Sequence, residues 1–322
     1  MAPTRVIIEK GEEIVETTFI DCLLDTLGVL DDHNEIPVVV NFQDNCLAIS
    51  VLSTDRGVFS SGMTTDNPHL ESYVAVLKHS HRCPLRELKV KQIPITLEDK
   101  HISSGVKIAA AVLVQSSDNF ILLTKRPDHM RTYPGAWVPP GGHVEPHESL
   151  KEAVGRELTE EIGLELVSNS NNTLKVLGLW EAAYPPILEW GLPNRHHLIV
   201  YFNFISNETR EQLQQKIKLD PKEVSTSVWL DPFFVTTLLN STDSATLQNS
   251  IPTCEATLVN DAGIQSVREL PSTDLFTFES YEGRIAVGTK FALEEWLKGI
   301  ENSFKDKTLS HLYQHIELEF RG

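Results

Sequence analysis

The chain is short of cysteine and of positive charge, and it has no long apolar run. Each shortage narrows what it can be. Among 322 residues there are 4 cysteines: Cys22, Cys46, Cys83 and Cys254. None forms a CxxC pair, and their spacings fit no sequential zinc pattern. They are expected as small buried apolar residues in a reducing compartment. Lys and Arg number 28 against 45 acidic residues, a formal net charge of -17. The excess is spread along the chain, which excludes broad binding to nucleic acids or anionic membranes through net charge. A phosphate-bearing substrate would have to be met by local cations or by bound metal. No apolar run approaches the ~20 residues of a membrane span. The opening MAPTRVIIEKGEEIVE lacks the apolar stretch of a secretory signal. The final HIELEFRG matches neither a peroxisomal signal nor a prenylation box. These readings predict a cytoplasmic protein.

What remains is the composition of a folded protein. Hydrophobic residues make up 41% and charged residues 23%, which argues against global disorder. The length allows a sizeable core in one large domain or two modest ones. There is no internal repeat and no long low-complexity tract.

Residues 1–95 read as an N-terminal α+β module. Val6–Ile8 is expected as a strand. Thr18–Leu30 carries Phe19, Cys22, Leu23, Leu27 and Leu30 at helical spacing. Ile36–Phe42 and Cys46–Leu52 flank Gln43-Asp44-Asn45, a hairpin signature. Asn67-Pro68 is expected to open a helix with Leu70, Tyr73, Val74 and Leu77 on one face. A basic stretch, His79–Lys91, and the polar Thr96–Ser104 read as a linker. Its Arg82, Arg86, Lys89 and Lys91 form either a solvated surface or a phosphate-tracking patch.

From residue 105 to about 300 the pattern is that of a second, larger domain. Val106–Val114 is an almost unbroken apolar run, the mark of a strand buried on both faces. Phe120–Thr124 follows as its hairpin partner. Further strands are expected at Leu174–Trp180, Leu198–Ile205, Ser227–Leu230, Leu275–Phe278 and Arg284–Val287. Helices are expected at Thr209–Ile217, Asp231–Leu239 and Lys290–Ile300. Asn240–Thr253, rich in Ser, Thr and Asn, reads as a surface loop.

The chemistry concentrates in Gly142–Leu164, GHVEPHESLKEAVGRELTEEIGL. Pro139-Pro140-Gly141-Gly142 forces a turn. After Pro146, Leu150, Val154, Leu158 and Ile162 recur every four residues and define one buried helical stripe. Gly163 stands where a left-handed C-cap belongs. Glu157, Glu160 and Glu161 occupy i, i+3 and i+4, so three like charges crowd near the end of the helix that disfavours anions. A hard divalent cation would reverse that repulsion.

The same residues match GX5EX7REUXEEXGU, with U a bulky aliphatic, at every defined position. In this the chain resembles the Nudix hydrolases. The resemblance implies an α/β Nudix fold, a mixed β-sheet between α-helices, following the N-terminal module. It implies Glu157 and Glu161 as principal ligands of Mg²⁺ or Mn²⁺, with Glu160 a third ligand or the base. Arg156 would orient the glutamates. Glu148 and Gly163 would be structural, and Gly142 would permit the turn and offer its carbonyl to the metal. The implied reaction is hydrolysis of a phosphoanhydride in a nucleoside diphosphate-linked substrate.

Leu122–Leu164, the WEAAYPP segment and the size of the N-terminal extension are similar to the mRNA cap-hydrolysing branch of the family. That similarity implies N7-methylguanosine-capped RNA as substrate and 7-methyl-GDP as product. Trp190, Tyr184 and Glu189 are candidates for holding a cationic base, and Arg126 and Arg131 for holding phosphates. Trp180 is expected in the core. His196 and His197 should face opposite sides of a strand. The alternatives are a CoA or ADP-linked pyrophosphatase, and a nucleotide-sensing Nudix domain without catalysis.

Overall fold

The computed structural model describes residues 5–29, 35–52, 70–93, 105–166, 172–241, 244–275 and 285–302. In the N-terminal part the strands are β1 (Arg5–Lys10), β2 (Glu13–Glu16), β3 (Glu35–Gln43), β4 (Cys46–Val51) and β5 (Glu71–His79). Two short helices accompany them, α1 (Leu23–Thr26) and α2 (Pro84–Val90). The expected hairpin is β3–β4, with Gln43 opposite Cys46. Asp44 and Asn45 take φ of 51° and 63°, the conformation that its tight turn demands.

The second part contributes β6 (Lys107–Gln115), β7 (Ile121–Lys125), β8 (Trp137–Val138), β9 (Gly141–His143), β10 (Thr173–Tyr184) and β11 (Arg195–Ile205). It continues with β12 (Thr226–Leu230), β13 (Thr253–Val259) and β14 (Gln265–Pro271). Its helices are α3 (Leu150–Ile162), α4 (Arg210–Lys216), α5 (Pro232–Asn240), α6 (Ser244–Ser250) and α7 (287–302).

Among the described residues all these strands join one mixed sheet, ordered β14-β13-β12-β7-β6-β11-β10-β5-β3-β4-β1-β2, with β8 beside β7 and β9 beside β6. The N-terminal strands enter this sheet at β5, which pairs in parallel with β10 (Leu77 opposite Leu179, His79 opposite Glu181).

The continuous apolar run of β6 is explained by burial on both faces. Ile108, Ala110, Val112 and Val114 pack with Leu150, Val154, Leu158 and Ile162 of α3. Ala111 and Leu113 pack on the other face with Phe291, Leu293 and Trp296 of α7. The first of these cores also contains Val6, Ile8, Val38, Val40, Leu47 and Ile49, so it runs unbroken beneath both halves of the sheet.

Several expectations are corrected. Residues 71–79 are strand, not helix; Asn67 and Pro68 lie outside the described residues. The apolar spacing of Leu70, Tyr73, Val74 and Leu77 fits a helix, but β5 is hydrogen-bonded to β3 on one side and β10 on the other. Tyr73, Val74 and Val76 are strand-favouring residues, and these partners decide the outcome. Of Thr18–Leu30 only Leu23–Thr26 is helical. Asp21 Oδ2 accepts hydrogen bonds from the Thr18 amide (2.8 Å) and hydroxyl (2.7 Å), a local turn that competes with helix before it. Leu30 lies outside the described residues.

His79–Lys91 is no linker. Leu85 and Leu88 anchor α2 in the core, and Arg86 donates to Asp25 at 2.5 Å. Asn240–Thr253 is not all loop, because α6 forms around one fully buried residue, Leu247. The β13–β14 hairpin was not foreseen. Residues 276–284 lie outside the described residues, Leu275 closes a 3₁₀ turn, and Ile285 makes a single bridge to Trp137 before α7 begins.

Candidate active site

The site is assembled by β9, α3 and the turn before β12. Helix α3 starts where Ser149 caps it: the Ser149 hydroxyl accepts from the Glu152 amide at 3.2 Å, and Glu152 Oε2 accepts from the Ser149 amide at 2.8 Å. This is a capping box. The N-terminal half of the chain adds a second cap. Glu71, at the start of β5, accepts from the amides of Leu150 (2.7 Å) and Lys151 (3.3 Å). Asn45 Oδ1 accepts from the His147 amide at 2.8 Å. The helix ends as expected at Gly163, with φ 69° and ψ 14°.

Along α3 the apolar stripe faces the sheet, and Glu157 and Glu161 are carried inward beside it. Both are buried, each 6% exposed. A third carboxylate meets them: oxygens of Glu157, Glu161 and Glu223 all lie within 4.8 Å of one another. Glu223 was missed in the sequence because it belongs to no spaced motif. Its turn is fastened to the end of α3, where the amides of Lys218 and Asp220 donate to the carbonyls of Ile162 and Glu161, each at 2.9 Å. Glu160 does not join this cluster. It lies on the exposed side, where it accepts from Arg156 Nη1 at 3.0 Å.

Arg156 is the organiser. Its Nε and Nη2 donate to the two oxygens of Glu148 at 2.8 and 3.0 Å. Nη2 also donates to the His143 carbonyl at 2.9 Å, and Nη1 donates to Glu157 Oε1 at 2.7 Å. The Glu148 hydrogen bond, then the bond and charge of Glu157, hold the guanidinium pKa well above its usual value. Arg156→Lys cannot reproduce this fork. We expect it to lower kcat by about 10–100-fold with KM little changed, since the fork fixes Glu157 and touches no substrate.

Two glycines make the close approach possible. A Cβ on Gly142 would sit 2.2 Å from Glu157 Oε1. A Cβ on Gly141 would sit 2.5 Å from the Ala110 carbonyl and 2.6 Å from Ala111 Cα. The Gly141 amide donates to Glu161 Oε1 at 3.4 Å.

Burial pushes the Glu161 carboxyl well above its ordinary pKa, and the charges of Glu157 and Glu223 add to the effect against Gly141 and Arg126. Burial also raises Glu157, against the pull of Arg156. Such a cluster is costly when anionic and alone. Its all-oxygen donor set fits Mg²⁺ or Mn²⁺.

Beside the cluster, Arg126 donates to the Thr132 carbonyl at 3.2 Å and is acted on by the charges of Glu161, Glu223 and Glu157. Arg131 is exposed on the same loop. A cavity of about 140 Å³ opens on the α7 face of β10–β11, with Tyr133, Val138, Trp180, His197 and Tyr201 among its walls. His197 Nε2 lies 3.0 Å from Nε2 of His143, the residue after Gly142, which ties this cavity to the carboxylate site. Burial, then the neighbouring His143, lowers the His197 pKa to about 3, so the ring is neutral at pH 7.

Of the proposed base-holding residues, Tyr184 packs edge-on against Tyr133 at 5.1 Å. Glu189 instead binds Arg82 at 2.5 Å, and half-exposed Trp190 is not among the residues lining the cavity. Trp180 is in the core as expected, against Phe291. His196 and His197 do face opposite sides of β11: His196 is buried against Glu181.

Residues 105–242 match the family model described as the NUDIX domain. The chain belongs to the Nudix family and is a Nudix hydrolase. It is 40% identical over 235 residues to the m7GpppN-mRNA hydrolase NUDT17 of Danio rerio, covering 70% of this chain and 78% of that one. It is 38% identical to the Xenopus laevis protein of the same name, over 73% of this chain and 80% of that one. Among solved structures, a MutT protein from Methanosarcina mazei Go1 is 25% identical, with TM-score 0.31, covering 40% of this chain and 80% of that one. A C. elegans Ap4A hydrolase is 19% identical, with TM-score 0.31, over 45% of this chain and 93% of that one. No described helix is long and apolar enough to cross a membrane.

Proposed function

We propose that the protein hydrolyses the 5′ cap of N7-methylguanosine-capped mRNA, releasing 7-methyl-GDP, with Mg²⁺ or Mn²⁺ held by Glu157, Glu161 and Glu223. The observation that carries this reading is the buried carboxylate cluster beside an aromatic-walled cavity. The named activity of the relatives supplies the substrate. A divalent cation there would neutralise phosphate charge and acidify a water.

The chain's own residues do the rest. Arg156 fixes Glu157 in one orientation. The Gly141 amide steadies Glu161. Arg126, beside the carboxylates, is placed for the phosphate chain, and Arg131 stands farther along the same loop. Glu160, on the solvent side of Arg156, accepts from its Nη1 and helps hold the guanidinium in place. Tyr133, Trp180 and Tyr201 offer apolar and aromatic walls to a planar base. The base is then gripped at the cavity and the phosphates at the carboxylate site. The acidic surface gives the RNA body little hold.

The test is a panel of capped RNA, CoA and ADP-ribose with Mn²⁺ or Mg²⁺, with products identified by mass. We expect 7-methyl-GDP from capped RNA, at a kcat/KM at least about tenfold above the other two. Release of 7-methyl-GMP would place the cut at the wrong phosphate. Preference for CoA or ADP-ribose would favour the pyrophosphatase reading. Turnover of none of the three would favour a nucleotide sensor.

A further inference from the structure

A second cluster of ligating side chains lies away from the carboxylate site, where the N-terminal strands join the sheet. Cys22 precedes α1, His79 ends β5, Cys83 precedes α2, and Glu181 lies in β10. All four are buried, none more than 5% exposed. Ligand atoms of Cys22, His79 and Cys83 all lie within 4.8 Å of one another. Cys22 Sγ is 3.9 Å from His79 Nδ1 and 3.7 Å from Glu181 Oε2. His79 Nδ1 is 4.0 Å from that same oxygen. In a tetrahedral zinc site, bond lengths of 2.0–2.3 Å put neighbouring ligand atoms about 3.3–3.8 Å apart, the N–O edges at the short end. The edges among Cys22, His79 and Glu181 are therefore longer than such a tetrahedron requires by about 0.2–0.7 Å, and Cys83 Sγ lies within 4.8 Å of the Cys22 and His79 ligand atoms.

We propose that Cys22, His79, Cys83 and Glu181 form a structural zinc site that fastens the N-terminal strands to the catalytic sheet. Two sulfurs, one imidazole and one carboxylate suit Zn²⁺ and are a poor match for Mg²⁺. Binding releases the two thiol protons to solvent.

The fourth ligand is held in place from behind. The other oxygen of Glu181, Oε1, accepts from the Leu23 amide at 2.7 Å and faces His196 Nε2 at 3.1 Å. His196 Nδ1 in turn faces the Phe19 carbonyl at 2.8 Å. Such outer contacts are what orient a metal-bound carboxylate. The ligands come from separate stretches of chain, and only His79 and Cys83 are close in sequence. That dispersal hides the site from any spacing pattern. Ser80, Cys83, Pro84 and Glu181 also line the aromatic cavity, so the ion would stiffen one of its walls.

The experiment uses the full chain, purified reduced and without chelator. Zinc content after dialysis is expected at about one ion per chain. Replacing it with Co²⁺ should give tetrahedral ligand-field bands and a thiolate-to-cobalt charge-transfer band. A metal on the carboxylate cluster cannot produce that charge-transfer band. Cys83→Ser should lose most of it, whereas Cys254→Ser and Glu157→Gln should keep it. If Cys83→Ser does not fold, the cobalt spectrum of the unmutated chain decides. Absence of a charge-transfer band on adding Co²⁺ to the reduced chain would overturn the proposal. So would a Cys22–Cys83 disulfide that persists in a glutathione buffer of cytosolic poise. None of these readouts depends on turnover, so they stand apart from the test of the cap substrate.

Discussion

Glu157→Gln and Glu161→Gln should each lower kcat by about 10³-fold or more while leaving the fold intact. Gln keeps the shape and one carbonyl oxygen of the carboxylate but removes the charge that holds a divalent cation. The two variants should differ in stability. Glu161 is buried beside Glu157 and Glu223, and its folded pKa lies well above the ordinary value. The folded metal-free chain therefore binds the Glu161 proton more tightly than the unfolded chain does. The stability it contributes is present in acid and is lost as pH rises from the ordinary carboxylate range through the raised value.

At neutral pH, Glu161→Gln removes that burden and should raise Tm without metal by about 2–5 °C. Glu157→Gln forfeits its bond to Arg156 and should gain less. Adding Mn²⁺ should raise Tm of the unmutated chain and raise it far less in either variant. Thermal melts with and without metal, alongside initial rates, check all of this. Near-normal metal-dependent turnover in either variant would sink the assignment.

Gly141→Ala and Gly142→Ala should fail in opposite ways. At Gly141 the added carbon meets backbone atoms of Ala110 and Ala111 in β6, which cannot move without disturbing the centre of the sheet. The expected loss is about 2–3 kcal/mol of stability, read from the midpoint of a urea transition at unchanged slope. At Gly142 the added carbon meets the tip of the Glu157 side chain. That tip can swing away, so stability should change by less than about 1 kcal/mol. But the swing takes Glu157 from the cluster, and kcat should fall by about 10²-fold or more. Equal melts and equal rates for the two variants would contradict this division.

The catalytic segment was legible because its geometry is local. A turn, a capped helix and a left-handed Gly163 follow from residues that are neighbours in sequence, and α3 matches its expected extent. Helical spacing put Glu157 and Glu161 forward, and the resemblance to the Nudix hydrolases gave them their expected role as principal ligands. That spacing also promoted Glu160, which sits on the same helix but turns toward Arg156 and solvent. Glu223 could not be found, because its place is set by hydrogen bonds from the 218–220 backbone to the end of α3. The same limit explains β5. Its apolar spacing is compatible with a helix, and only the two flanking strands determine otherwise. Helix α6 was hidden because a single buried leucine anchors an otherwise polar segment. The strong readings came from contiguous patterns, and the errors at β5 and Glu223 came from partners distant in sequence.

The union of β5 with β10 bears on how copies of the chain avoid one another. Bare strand edges are templates for unwanted pairing between molecules. Here β5 occupies a margin of the catalytic sheet that would otherwise lie open, and the β3–β4 hairpin and β1 carry the pairing further outward. Among the described residues the two ends of the strand order are β2 and β14. β2 is four residues long and begins and ends in glutamate; β14 carries Arg268 and Glu269 and closes on Pro271. Short length, charge and proline all discourage another strand from docking. The N-terminal extension thus moves one exposed border of the sheet outward from β10 to the short, acidic β2, in a chain whose net charge of -17 also disfavours association.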